Sequence, residues 1–151
     1  MGKTAGFGQN GKIKEREEWP MEPSLRMITL PVCNLKRALS FYEKAMPFQP
    51  VKKTIQPDAT HVALKVKDGL VLVLMLRSEV SRIYGITEKA NNGTILTLAC
   101  ESDEEVDAAF ANVTATSAHL IHPIQRDEWS YSFVFSDPDG NLWEVIHIEL
   151  L

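Results

Sequence analysis

Two cysteines in 151 residues, Cys33 and Cys100, are too few for a disulfide framework, which excludes the small secreted domains held together by bridges. No stretch approaches the roughly 20 consecutive apolar residues of a membrane span. No charged-then-apolar leader opens the chain, so a cytoplasmic location is the expectation. Charge of one sign is scarce as well: 16 lysines and arginines against 20 acidic residues leave a net charge of −4. That balance offers neither nucleic acid nor an anionic membrane an electrostatic reason to bind, while it tolerates a cationic ligand. A Gly-rich phosphate loop, a G-x-S-x-G elbow and a C-x-x-C pair are all missing, which removes the usual signs of nucleotide, serine-hydrolase and dithiol chemistry.

What is present is enough apolar material for one domain, with 44% of residues hydrophobic. Residues 1–23 are glycine-rich and then charged, and they read as a disordered N-terminal extension. Residues 24–151 form the domain, and they repeat themselves. Met27 to Leu35 reads as a buried strand entering a helix, and Thr94 to Ser102 reads the same way. Setting Cys33 on Cys100 gives an offset of 100 − 33 = 67. The first helix, from Asn34 to about Met46, has an Asn N-cap and an apolar stripe through Leu35, Ala38, Leu39, Tyr42 and Met46. The second opens on Ser102 and Glu105, the two ends of a capping box, and buries Val106, Ala109, Phe110 and Val113.

Hairpins follow each helix. Thr60–Val66 and Leu70–Leu76 flank an Asp-Gly turn, and Ser130–Phe135 and Asn141–His147 flank a second turn at Asp139-Gly140. Aligning Gly69 with Gly140 gives an offset of 140 − 69 = 71. One more strand per module fits at Phe48–Ile55 and at about His119–Ile124. The expected fold is therefore α+β: two βαβββ modules, at about 24–76 and 94–149, joined by a linker over 77–93. Each sheet buries one face under its helix and leaves the other to line a concavity. Cys33 and Cys100, at the strand-to-helix junctions, are expected to be small buried structural residues.

Three segments carry a family likeness. Asp137-Pro-Asp-Gly-Asn-Leu-Trp-Glu-Val145 resembles the closing hairpin of the vicinal oxygen chelate superfamily, which contains glyoxalases, bleomycin resistance proteins and extradiol dioxygenases. Leu30-Pro-Val-Cys-Asn-Leu-x-x-Ala-Leu-x-Phe-Tyr42 resembles its opening strand and helix, and Ser102-Asp-Glu-Glu-Val-Asp107 its second helix. The resemblance covers roughly residues 25–149 and implies a cup-shaped mixed sheet with the helices outside. It fixes fold better than activity, because one scaffold hosts many chemistries.

Metal-dependent members of that superfamily hold a divalent ion through up to four cup-facing His, Glu or Gln side chains. By the resemblance and the two offsets, the positions here are Met27, Val73, Thr94 and Glu144. Only Glu144 offers a hard donor, and a catalytic metal ordinarily takes about three protein ligands. No resident cofactor is expected, with a divalent metal left as the open alternative. His61, whose counterpart at +71 is Ser132, is the candidate to join Glu144 as an acid–base pair or clamp. Strand parity assigns Thr29, Ala63, Val71, Met75, Leu96, Val134, Leu142 and Ile146 to the same lining, with Trp129 at its rim. Trp143, Phe133 and Phe135 have the opposite parity and belong to the core. His119 and His122 match no family ligand position.

Three functions stay open. One is a metal-free binder of a small, partly apolar or cationic molecule, of the bleomycin-resistance kind, acting as a homodimer. The second is a lyase, isomerase or dioxygenase that uses Glu144. The third is a divergent domain that binds a partner through a vestigial cup.

Overall fold

The structure, a computed structural model, describes residues 24–85 and 93–149. The N-terminal extension and Asn91-Asn92 of the linker lie outside the described residues. Module one consists of β1 (Met27–Val32), α1 (Leu35–Ala45), β2 (Gln49–Pro50), β3 (His61–Lys65) and β4 (Val71–Leu76). A helix, α2 (Arg77–Tyr84), follows directly. Module two repeats the pattern with β5 (Ile95–Ala99), α3 (Asp103–Thr114), β6 (His119–Arg126), β7 (Ser130–Ser136) and β8 (Leu142–Ile148). The strands form two four-stranded mixed sheets, ordered β1-β4-β3-β2 and β5-β8-β7-β6. In each sheet one parallel pair, β1 with β4 or β5 with β8, joins an antiparallel hairpin. Neither sheet closes into a barrel, and this is the α+β two-module architecture read from the repeats.

Local chemistry explains the element ends. Asn34 Oδ1 accepts from the Arg37 backbone N–H at 2.9 Å, and Ser102 Oγ from that of Glu105 at 3.2 Å, so both helices start on side-chain caps. The expected capping box is modified, because Glu105 Oε1 accepts from Glu101 N at 2.8 Å rather than from Ser102. Between β3 and β4, Asp68 (φ 68°) and Gly69 (φ 83°) both adopt left-handed backbone, the demand of a tight hairpin turn. Two boundaries differ from expectation. β2 keeps only Gln49–Pro50 of the strand expected over Phe48–Ile55, with one further ladder bond, from the Val51 N–H to the Ala63 carbonyl at 2.8 Å. The linker over 77–93 begins as helix α2, which stops at Gly85 with φ 70°.

α1 and α3 pack against the sheets and against each other, and one core runs through both modules. Leu30, Val32, Leu64, Leu72 and Leu74 of the first sheet join Phe133, Phe135, Trp143 and Val145 of the second. Tyr42 on α1 is the hinge of this core, with its ring centroid 5.9 Å from that of Trp143. The Trp143 indole N–H donates to the Tyr42 hydroxyl at 3.0 Å, and that hydroxyl in turn donates a short hydrogen bond to Asp137. Phe133, Phe135 and Trp143 are thus core, as parity required. Cys33 departs from expectation: its side chain is exposed, and its backbone N–H donates to Asp139 Oδ1 at 2.9 Å.

Burial, followed by the adjacent Asp137 charge, pushes the Tyr42 hydroxyl well above its usual value. A pKa raised by folding contributes stability that is present below pH about 10 and lost as the pH rises further. Tyr42→Phe should therefore cost about 1–3 kcal/mol at pH 7, because Trp143 and Asp137 each lose a partner. It should also flatten the loss of stability between pH 9 and 11, measured by urea denaturation. An unchanged alkaline slope would remove Tyr42 as its source.

Candidate functional site

Ladder register decides which side chains share a face. Thr97 lies opposite Glu144, and Leu96 and Leu98 lie opposite Trp143 and Val145. Leu96 consequently packs into the helix-side core, and Thr94 precedes the strand, so neither lines the open face as expected. The cause is a slip of one residue. The helix N-caps give 102 − 34 = 68 for the opening strands, not the 67 given by the cysteines. A shift of one residue sends every side chain of a strand to the opposite face. At 68, Met27 corresponds to Ile95 and Thr29 to Thr97, and Cys33 corresponds to Glu101 rather than Cys100. The offset of 71 holds for the rest, since Val73 lies opposite Thr29 as Glu144 lies opposite Thr97.

On the open face of module two, Glu144 stands between Leu142 and Ile146 on β8, a carboxylate in an apolar row. The Thr97 hydroxyl donates to Glu144 Oε1 at 3.0 Å. Glu144 lines a hollow of about 210 Å³ with Ser132, Val134, His122 and Gln125. His122 and Gln125 were not anticipated, because their orientation depends on irregular pairing between β6 and β7 on either side of His122. Two residues further along β7 and β8, a second, wider hollow of about 450 Å³ is lined by Trp129, Ser130, Ile146 and Ile148 with Asp127 and Glu128. Trp129 is 59% exposed there. Its backbone is held by Asp127, whose Oδ1 accepts from Trp129 N at 3.1 Å and from the Ser130 N and hydroxyl at 3.0 Å each. Those contacts, the Trp129 N–H foremost, hold the Asp127 carboxyl below its usual range.

The open face of module one is different. Val73 and Met75 are buried under Val80 of α2, with Ala63 and Val71 beside them. Thr29 lies next to Val73 on β1, and Met27 is 57% exposed at the start of that strand. α2 is fastened by Arg77, which donates to the Asp139 carbonyl at 3.0 Å. Thr60 makes a longer contact to Glu79, of 3.4 Å. His61 lies opposite Met75, as parity required, and lines a hollow of about 380 Å³ with Val51, Thr54, Ile55 and Ala63. Subtracting 71 from His122, Gln125, Ser132 and Val134 gives Val51, Thr54, His61 and Ala63. The two hollows are therefore one feature of the fold built twice. His61 and Glu144, expected as a pair, line different hollows on different sheets and are not brought together.

The donor set at the family metal positions does not suit a divalent ion. Met27, Val73 and Ile95 supply no oxygen or imidazole, and Glu144 stands alone among them. Among the described residues no three His, Cys, Asp or Glu side chains converge. These four positions supply one ligand where a catalytic metal ordinarily takes about three.

Comparison with known proteins agrees with this architecture. The family model of the Glyoxalase/Bleomycin resistance protein/Dioxygenase superfamily matches residues 24–145. A trivalent organoarsenical cleaving enzyme from Bacillus sp. (strain MD1) is 32% identical over 128 residues, spanning 80% of this chain and 70% of that protein. The crystal structure of a glyoxalase-related enzyme from Fulvimarina pelagi superposes with a TM-score of 0.72 at 20% identity, covering 82% of this chain and 87% of that one. A glyoxalase/bleomycin resistance protein/dioxygenase family enzyme from Burkholderia phytofirmans PsJN gives 0.70 at 17% identity, covering 83% and 99%.

The corrected register has a direct test. Leu96→Ala should cost about 1–3 kcal/mol by opening the helix-side core, and Thr97→Ala less than about 1 kcal/mol. Urea midpoints in the reverse order would restore the offset of 67.

Proposed function

The chain belongs to the Glyoxalase/Bleomycin resistance protein/Dioxygenase superfamily, and on that premise we propose that it is a metal-independent binder of a small, partly apolar or cationic molecule. The observation that carries this reading is the Glu144 hollow. A carboxylate in an aliphatic strand face, engaged by a single hydroxyl, offers a charged anchor and an apolar wall to the same ligand. The acidic residues Asp127 and Glu128 beside exposed Trp129 extend that preference, since an indole face attracts cations. In the superfamily's metal-dependent members the corresponding positions hold ligands, and Met27, Val73 and Ile95 here cannot.

The open faces also support a homodimer. β1 and β5 are both edge strands, and Met27 and Ile95 begin them at 57% and 54% exposure. An unpaired edge with exposed apolar residues invites a second chain, and a twofold partner would cover one open face with another. Sedimentation of the full chain should then give twice 17.0 kDa. Ile95→Lys should shift it to monomer, and a monomeric native chain would sink the dimer.

A second reading, an enzyme of the lyase, isomerase or dioxygenase kind, is favoured by the 32% identity to the organoarsenical cleaving enzyme. One experiment separates the two. Elemental analysis of the purified chain should find divalent metal well below one per protomer. Bleomycin, phenethylamine and a trivalent organoarsenical should then be screened by thermal shift. A ligand at 100 times its Kd adds about 2.7 kcal/mol, which is roughly 5–10 °C for a domain of this size. That gain should disappear in Glu144→Gln. Stoichiometric metal that is lost in Glu144→Gln, together with turnover of the arsenical, would replace the binder by the enzyme.

A further inference from the structure

His122, Val134, Glu144 and Thr97 form one straight row across the second sheet. His122 pairs with Val134, Val134 with Glu144, and Glu144 with Thr97. Residues in direct register share a face, so all four side chains stand on the open side. Adjacent strands lie about 4.8 Å apart, which puts the His122 and Glu144 backbones roughly 10 Å from each other with only valine between them. Both side chains are long enough to lean over Val134 toward one bound group. Gln125 and Ser132, themselves a register pair, stand beside them on the same wall.

The polar groups of this hollow have one property in common: each offers an acceptor. A carboxylate, an amide oxygen, a hydroxyl and the unprotonated nitrogen of a neutral imidazole all accept hydrogen bonds. Among the described residues no lysine or arginine lines the hollow. The group that such a wall recognises is a donor-only head, and a primary ammonium, with three N–H donors and no acceptor, matches it. Moving from Glu144 to Ile146, or from Ser132 to Ser130, advances two residues, about 6.7 Å, along the strands. That step leads from the polar hollow to the one walled by Ile146, Ile148 and Trp129. The Asp127 turn fixes the backbone from which Trp129 projects, so the aromatic wall is preorganised.

We propose that His122 is a second anchor of the Glu144 site, and that the two hollows together take an arylalkylamine, with its ammonium between His122 and Glu144 and its ring against Trp129. This rests on the reading of Glu144 as a ligand anchor, and it adds the second anchor, the head-group class and the head-to-ring distance. A spacer of two carbons carries the ring about as far as Ile146, which lines the same hollow as Trp129.

NMR titration of the full-length chain with phenethylamine tests each part. The native chain should bind phenethylamine at least tenfold more tightly than 2-phenylethanol, its neutral counterpart. His122→Ala should weaken phenethylamine about tenfold, His122→Gln should recover part of the loss through its amide oxygen, and Trp129→Ala should weaken it several-fold. His122 sits on an exposed edge strand, so these variants keep the fold, checked by their amide spectra. Equal affinity for phenethylamine and 2-phenylethanol, or for the native chain and His122→Ala, overturns the proposal. If Glu144→Gln abolishes binding in the second case, the Glu144 anchor survives without His122. If Glu144→Gln also leaves binding unchanged, both readings fall.

Discussion

Withdrawing the Asp137 carboxylate from water costs several kcal/mol unless its lone pairs are met, and the donors that meet them come from both modules. Asp137 is 2% exposed. Its oxygens accept from the Tyr42 hydroxyl on α1, from the Asn141 side chain and from the backbone N–H groups of Asp139 and Asn141. Two residues on, Asp139 accepts from Cys33 N and from the Arg37 guanidinium at 2.8 Å, while its carbonyl takes Arg77 of α2. The turn between β7 and β8 is therefore a clasp: it closes the last hairpin and holds α1, the end of β1 and the start of α2 against it. Those contacts are polar and add little apolar area.

With the clasp set, the helix-side faces are committed to one shared core, and whatever the chain binds must meet the open faces. The two open faces have been treated differently. In module one, the chain folds α2 back so that Val80 covers Val73 and Met75. In module two no helix follows β8 within the described residues, and Glu144 stays accessible with hydroxyl, amide and imidazole neighbours. The duplicated hollows make the divergence plain, because Val51 and Thr54 occupy in one module the places of His122 and Gln125 in the other.

Much of this was legible in the sequence because two different periodicities agreed. Helical stripes and alternating strands at a near-constant offset gave the two βαβββ modules, and alternation alone put Trp143, Phe133 and Phe135 inside. What failed did so for physical reasons. Aligning Cys33 with Cys100 matched residue types that face different environments, whereas Asn34 and Ser102 match by the capping bonds that they make. The single-residue error placed Thr94 and Leu96 where Ile95 and Thr97 belong. Parity told which face His61 and Glu144 occupy but not which faces meet, so their pairing did not follow. His122 was set aside because it matches no family ligand position, and a strand with irregular pairing breaks the alternation from which its direction would be read. α2 was hidden because Arg77–Tyr84 starts without a side-chain cap and ends at a glycine that also reads as a loop.

Val80 over Val73 also gives the fold a direction in sequence space. A carboxylate placed at 73 to rebuild a metal ligand would arrive among Val80, Met75 and Val71. There its desolvation costs several kcal/mol before any ion compensates it, out of a total stability of about 5–15 kcal/mol. Trimming Val80 first leaves a void under α2 instead. Neither single step is neutral, and the two are useful only together with a third ligand elsewhere. α2 thus acts as a barrier at position 73: a ligand there requires compensating changes beneath the helix, whereas substitutions around Glu144 meet no such cover.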